Sequence, residues 1–398
     1  MPQKPSRKYK YRFPWRSGNQ FELLVDGPQF FSVMLNDIQQ ARHYILLEMY
    51  LVSPGEVCQR FFNALLDAAN RDIKVYVLLD AFGSRSLDQE SKNKLSHENI
   101  HLVFYNPFQP YKHKLRLFRD HRKLLVIDGN SAYVGGAGFI DQFDSRHEPR
   151  LNWRENMVKI KGENVLQWQA LFKDNWQRWS DIPVTLIETE CDLYSQKGRV
   201  SMTSGPDFLE IKRSFINHVN NAQHRLWMST AYFAPSRKLR RALRRAALRG
   251  IDVRLLIPGP ITDHPMARYI AQHYYSRMLL DGIRIFEYQP RFMHAKLVLC
   301  DNWTSIGSCN IDRWNLRWNL DANQEIDDTA FTDSVIAMFE NDFGQSTEIT
   351  LEKWRRRSLL NKIKIIFWAY MIRFADTLLT RFKIIRHWKD IRKQDKRK

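Results

Sequence analysis

Two stretches of the chain pair a histidine with a lysine two residues later and an aspartate five residues after that. His121, Lys123 and Asp128 lie in "DHRKLLVIDGNSAYVGGAG", and His294, Lys296 and Asp301 lie in "MHAKLVLCDNWTSIGSCN". Together these residue types suit attack on a phosphodiester. One imidazole attacks phosphorus and forms a phosphoryl-enzyme intermediate, which divides a hard displacement into two easier ones. A second imidazole protonates the leaving alkoxide and later takes the proton of the incoming hydroxyl. Two lysines balance the charge on the phosphoryl oxygens, a task other enzymes give to a metal ion. Each aspartate is expected to fix a ring tautomer and stabilise imidazolium. Neither copy suffices alone, so the two must meet face to face. No metal site is expected, because the His and Asp residues lack zinc spacing and lysine is a poor ligand. No cofactor is expected either.

A single His-x-Lys on a strand is ordinarily a solvated face. Two matched copies on apolar strands are not, because burying lysine and aspartate is expensive. The turns "GGAG" and "GSCN" place Gly136, Ser308 and Asn310 where backbone approaches something closely, or where a side chain holds phosphate or braces the opposite half. Glu48 and Glu325 are expected near strand ends beside the site. Each is read either as an ordinary paired carboxylate or as a brace for a catalytic aspartate or histidine. His113, His147, His264 and His273 have no partner spacing and are assigned to surface or packing.

The elements that must position these groups occur twice. "YILLEMYL", the helical "CQRFFNALLDAANR" and "IKVYVLL" are matched by "HRLWMSTAYF", "LRRALRRAALRG" and "IDVRLLIPG". Each unit reads strand, helix, strand, and each is followed by a further strand and then the His-Lys-Asp segment. The expected fold class is α/β. Two similar halves are expected, each a mostly parallel mixed sheet flanked by helices, related by a pseudo-two-fold axis. The expected boundaries are a basic segment over 1–16, a first half over 17–179, a linker over 180–201, a second half over 202–346 and a tail over 347–398.

The 398 residues carry a formal net charge of +19, which calls for an anionic partner. From Lys353 to Lys398 there are 16 Lys+Arg and 3 Asp, a net of +13. The same segment is rich in bulky apolar residues, which nucleic-acid tails seldom are. It reads as a basic amphipathic helix lying in a lipid interface, with Trp354, Ile365, Phe367, Trp368 and Trp388 as membrane-binding residues. The alternative is a helix packed on the catalytic halves with its charges in water. The longest apolar run there, Ile365 to Ile372, is too short to span a bilayer, and no spanning helix is expected. The N-terminus is basic but has no apolar core of a signal peptide. Four scattered cysteines suggest neither a disulfide framework nor zinc, and fit a reducing compartment.

The doubled motif resembles the double HKD signature of the phospholipase D superfamily. Within it, "HRKLLVIDG", "HAKLVLCD", "GSCNID" and "WNLDANQEI" are similar to bacterial cardiolipin synthases of the short type without spanning helices. The resemblance covers roughly residues 17 to 335. It implies transfer of a phosphatidyl group between phospholipids, with phosphatidylglycerol as acceptor, at the cytoplasmic face of the bacterial inner membrane. It also implies His121 as nucleophile and His294 as acid/base, although the symmetry of the chemistry leaves the order open. Hydrolysis by water, DNA cleavage and an inactive membrane scaffold are the competing readings. Two departures stand out. Gly138 occupies a place where the superfamily usually has Asn, and the second motif is one residue shorter between its Asp and its Gly.

Overall fold

The computed structural model describes residues 11–107, 118–187, 194–204, 208–310 and 319–381. The first half comprises β1 (Arg16–Val25), α1 (Gly27–Gln39), β2 (Tyr44–Met49), α2 (Glu56–Asn70), β3 (Lys74–Asp80), α3 (Gln89–Asn93) and β4 (Ile100–Tyr105). It continues with β5 (Arg119–Asp120), β6 (Lys123–Ile127), β7 (Ser131–Gly135), β8 (Asn156–Gly162) and α4 (Glu163–Trp176). The second half repeats the plan. It has β9 (Gln196–Ser204), β10 (Phe208–Leu209), α5 (Glu210–Asn221), β11 (Arg225–Ser229), α6 (Arg237–Leu248), β12 (Asp252–Pro258), α7 (Pro265–Gln272) and α8 (Tyr275–Leu280). Then follow β13 (Arg284–Tyr288), β14 (Leu297–Cys300), β15 (Trp303–Gly307), β16 (Asn319–Asp327) and α9 (Thr329–Gly344). The described residues end in β17 (Ser346–Glu348), α10 (Leu351–Arg355) and α11 (Leu359–Arg381).

The strand order in the first half is β4-β3-β2-β6-β7-β8-β1. In the second half it is β13-β12-β11-β14-β15-β16-β9. Strands β1 and β9 pair antiparallel and join the two, so the combined order is the same read from either end. Strand β17 extends the β13 edge. Residues 196–201, expected in the linker, therefore form the opening strand of the second half. The sheet is mixed: within each half parallel pairing is confined to β2-β3-β4 and β11-β12-β13, and between the halves the short β5 runs parallel to β16. The reason lies in the connections. The crossovers that contain α2 and α6 return the chain parallel, whereas the motif strands turn back through tight hairpins and pair antiparallel.

Three apolar clusters hold the layers. One packs α1 and α2 on the outward residues of the first half, such as Ile45, Leu47, Val75 and Val77. A second does the same with α5 to α8 on Leu226, Met228, Val253 and Leu255. The third lies between, where α4 and α9 meet the opposite faces of both halves. Strands covered on both sides explain the unbroken apolar runs "YILL" and "KLLVI".

A candidate active site built from both halves

Each motif histidine is placed by the other half. The His121 amide donates to the Leu320 carbonyl (2.9 Å), and the His294 amide donates to the Arg154 carbonyl (2.8 Å). The residue after each of those carbonyls is an acid. His121 Nδ1 meets Asp321 Oδ1 at 2.9 Å, and His294 Nδ1 meets Glu155 Oε2 at 2.6 Å. The two acids are equivalent in the repeat, since Met157 pairs with Gly135 and Asn323 with Gly307, two residues beyond each. An Nδ1 proton held by a carboxylate leaves the Nε2 lone pair for attack.

The lysines close the site. Lys123 Nζ donates to the His121 carbonyl at 2.7 Å and lies 5.1 Å from the Tyr50 ring centre. Lys296 Nζ lies 3.3 Å from Glu155 Oε2 and 2.9 Å from His294 Nδ1. Burial, then the neighbouring Lys296 charge, lowers Lys123 to about 7. Burial lowers Lys296 as well, against the pull of Glu155. Burial and the adjacent lysine lower His121 to about 4 and His294 to about 3, so both rings are neutral at pH 7. Burial alone would raise Asp321, but His121, Ser308 and Lys123 outweigh it and hold the carboxyl below its ordinary value. Glu155 is held low in the same way by Lys296 and His294. Aromatic rings wall the pocket: Tyr50 stands 4.9 Å from His121, while Phe143 and Trp153 stand 5.4 and 5.2 Å from His294.

The expected roles of Asp128 and Asp301 are corrected by this geometry. Neither carboxylate reaches a ring. Asp128 accepts the amides of Arg42, His43 and Tyr44 at 2.8, 2.8 and 2.9 Å. Asp301 accepts those of Gln223, His224 and Arg225 at 2.8, 2.9 and 3.0 Å. Both sit at the hairpin turn with φ of 52° and 51°, at the end of the strand remote from the histidine, roughly 17 Å from the lysine along an extended chain. They clip the entry of β2 and β11 to the motif hairpin. The shorter second motif is a two-residue turn, where the first has three.

Glu48 and Glu325 divide between the two readings, brace and paired carboxylate. Glu325 is paired with Arg199 at 2.7 Å and accepts from Trp303 Nε1 at 3.3 Å, and it meets none of the motif His, Lys or Asp side chains among the described residues. Glu48 lies 3.3 Å from Arg122 Nη1 and accepts from Asn175 at 2.8 Å. Asn175 also donates to Asp120 at 2.7 Å. Glu48 is thus tied to the side chains on either side of His121, directly to Arg122 and through Asn175 to Asp120, and touches neither the ring nor Asp128.

The glycine turns differ for a steric reason. Ser308 Oγ donates to Asp321 Oδ1 at 2.8 Å. Its counterpart is Gly136, where a Cβ would stand 2.1 Å from Glu155 Oε2. The longer Glu side chain fills the space that Asp leaves to a serine. At Gly138 a Cβ would stand 2.4 Å from the Leu51 carbonyl, so the Asn of the second motif has no room there. Asn310 is buried, and among the described residues its Oδ1 has no partner. It lines a cavity of about 30 Å³ together with Lys296, Ser229 and Leu239. Among the described residues no cluster of acidic, His or Cys side chains has the makings of a metal site.

The expected membrane residues divide. Trp354 is buried, its Nε1 donating to Ser276 Oγ at 2.9 Å, and Ile365 is 4% exposed in the same cluster. These two belong to packing, because they join α10 and α11 to the apolar cluster that α7 and α8 also enter. Phe367 is exposed and Trp368 half-buried, while Trp388 lies outside the described residues.

Fold and site together define a phospholipase D-type protein in which two fused halves share one His-Lys centre. The family described as cardiolipin synthase, PLD-like domain, matches residues 34–176 and 215–343, and the chain belongs to that family. It is 32% identical to the major cardiolipin synthase of Bacillus subtilis over 87% of this chain and 73% of that protein. It is 30% identical to the cardiolipin synthase of Clostridium perfringens over 87% of this chain and 75% of that protein. Its fold is similar to that of phosphatidylserine synthase from Haemophilus influenzae, with a TM-score of 0.68 and 14% identity, covering 91% of this chain and 94% of the other.

Proposed function

We propose that this chain transfers a phosphatidyl group from one phospholipid to the hydroxyl of phosphatidylglycerol, giving cardiolipin. His121 attacks phosphorus through Nε2 while Asp321 stabilises the charge that develops on its ring. The bound phosphodiester anion offsets the two lysines and raises His294, which then carries the proton given to the leaving alkoxide. His294 takes that proton back from the incoming hydroxyl, and the Nε2–P bond of His121 breaks. Glu155 holds His294 for both steps. The observation that carries this reading is the crossed pairing of each histidine with the other half's acid. The aromatic walls keep water from competing as acceptor. The enzyme is placed peripherally on the cytoplasmic face of the bacterial inner membrane. The exposed apolar side of α11 supports the peripheral part of this placement, and among the described residues no helix is long and apolar enough to cross a membrane.

The test is incubation with labelled phosphatidylglycerol, followed by mass analysis of products. Cardiolipin is expected from the wild type, with none from His121→Ala or His294→Ala. Phosphatidic acid as the sole product would assign hydrolysis instead, and cleavage of DNA without phospholipid turnover would assign a nuclease.

A further inference from the structure

The internal repeat supplies its own control for a feature that the chemistry does not use. Helices α2 and α6 occupy the same place in the two halves, each crossing between the first two parallel strands. Their buried sides are both apolar: Phe61, Phe62 and Leu65 in one, Leu239, Leu243 and Ala246 in the other. Their outer sides differ completely. Helix α2 shows Gln59, Asn63, Asp67 and Asn70 to solvent, whereas α6 shows Arg237, Lys238, Arg241, Arg244 and Arg245. No acidic residue occurs within α6. The repeat shows that this position folds without a basic face, so the arginines answer to something outside the fold.

Some of the charge is answered internally. Arg244 Nε donates to Asp281 at 3.1 Å and Arg245 to Asn220 at 3.0 Å. Arg237, Lys238 and Arg241, on the first turns, have no ion pair among the described residues. That end of α6 adjoins the site, because Ser236 and Leu239 line the cavity whose inner wall is Lys296 and Asn310. The helix also flanks the segment on which the tail rests. Arg240 stacks on the Tyr274 ring at 4.9 Å, and Trp354 packs on Tyr275 at 4.8 Å. Helices α6, α8, α10 and α11 all bury their apolar sides in the one cluster of the second half. Away from that cluster α11 exposes Leu359, Leu360, Ile363 and Tyr370.

We propose that the basic side of α6 is a docking surface for anionic phospholipid headgroups. With α11 it seats the second half on the bilayer, and leaves the first half's α2 turned away from lipid. The exposed Leu248 on the basic helix itself, together with the exposed apolar side chains of α11, favours a lipid surface over nucleic acid, for which stacking or groove-reading groups would be needed in their place. The proposal rests on the phospholipid reading of the site.

The experiment is flotation of the full chain with vesicles of phosphatidylcholine alone, or mixed with an equal amount of phosphatidylglycerol. The triple variant Arg237→Gln, Lys238→Gln, Arg241→Gln is compared with a control triple on the first half, Arg85→Gln, Lys92→Gln, Lys94→Gln. Partition of the α6 variant onto mixed vesicles is expected to fall on the order of 100-fold at low salt, with little change in the control. The melting temperature of each variant reports its folding. Equal losses in both triples, or none in the α6 triple, would overturn the proposal. So would wild-type binding to double-stranded DNA that is tighter than to mixed vesicles and is lost with the same three residues. Turnover of monomeric short-chain phosphatidylglycerol by the wild type reads the proposed activity separately. Its absence counts against that activity and leaves the vesicle result to decide the surface.

Discussion

At the scale of single residues, the acids of the site have separate tasks that substitution can divide. Asp321→Asn and Glu155→Gln keep the shape of each contact but remove the charge that fixes the ring. Each is expected to cost about 10²- to 10⁴-fold in kcat with little change in melting temperature, measured by lipid transfer and calorimetry. The pairing of side-chain length with the glycine turn gives a sharper test. Gly136→Ser alone drives a side chain into Glu155 and is expected to abolish activity. Adding Glu155→Asp recreates the Ser308–Asp321 arrangement and is expected to recover part of it, a coupling that a double-mutant cycle measures. Titration of Lys123 carries a pH dependence. Its ammonium is present below about 7 and lost above, so kcat/KM should decline as pH rises through 7. Lys123→Arg, which stays charged, should remove that limb. Stability has its own limb. His121 binds a proton near 6.5 when unfolded but only near 4 when folded, so the native state loses stability as pH falls from about 6.5 to 4. A melting temperature that is flat over that window would contradict the buried neutral ring.

Elements explain what the sequence could and could not show. The two motifs, the strand-helix-strand repeat and the meeting of the halves were all legible, because each leaves a local signature of period or spacing. The partners of the histidines left none. Glu155 follows Gly135 by 20 residues and Asp321 follows Gly307 by 14, so no fixed spacing links them to each other or to the rings. Only the register of β7 with β8 and of β15 with β16 makes them equivalent. Asp321 stood inside "WNLDANQEI", yet strand alternation alone does not separate it from Glu325, which faces Arg199. The motif aspartates misled for the opposite reason, since proximity in sequence to a histidine suggested contact. An extended strand carries them away from it, and three amides fix them to the neighbouring strand's entry. Their substitution is accordingly a matter of hairpin stability. Asp128→Asn or Asp301→Asn is expected to cost about 2 kcal/mol by denaturant titration, while the folded fraction retains its specific activity. A loss of specific activity matching that of Asp321→Asn would return these residues to the chemistry.

For the molecule as a whole, the question is how a chain with no spanning helix among its described residues keeps its site at a bilayer. The tail presents one buried and one exposed apolar side on the same helices. Trp354 and Ile365 complete the apolar cluster of the second half and Ala369 is buried beside them in sequence, whereas Leu360, Ile363 and Phe367 are left in solvent. Deleting everything from Lys353 therefore removes core together with surface. Such a deletion is expected to lower stability by about 3 kcal/mol or more through Trp354 alone, so weaker vesicle binding by that variant would prove nothing about lipid contact. Substituting only the outer side separates the two. Leu360→Gln, Ile363→Gln and Phe367→Gln together should leave the melting temperature within a degree or two. They should weaken vesicle binding in a way that added salt does not mimic, because the lost contribution is apolar. Charge removal on α6 should show the reverse, a loss that grows at low ionic strength and fades as screening increases. If both variants lost binding with the same salt dependence, apolar insertion and headgroup attraction would not be separate parts of one docking face. The seating of the second half on the membrane would then need another explanation.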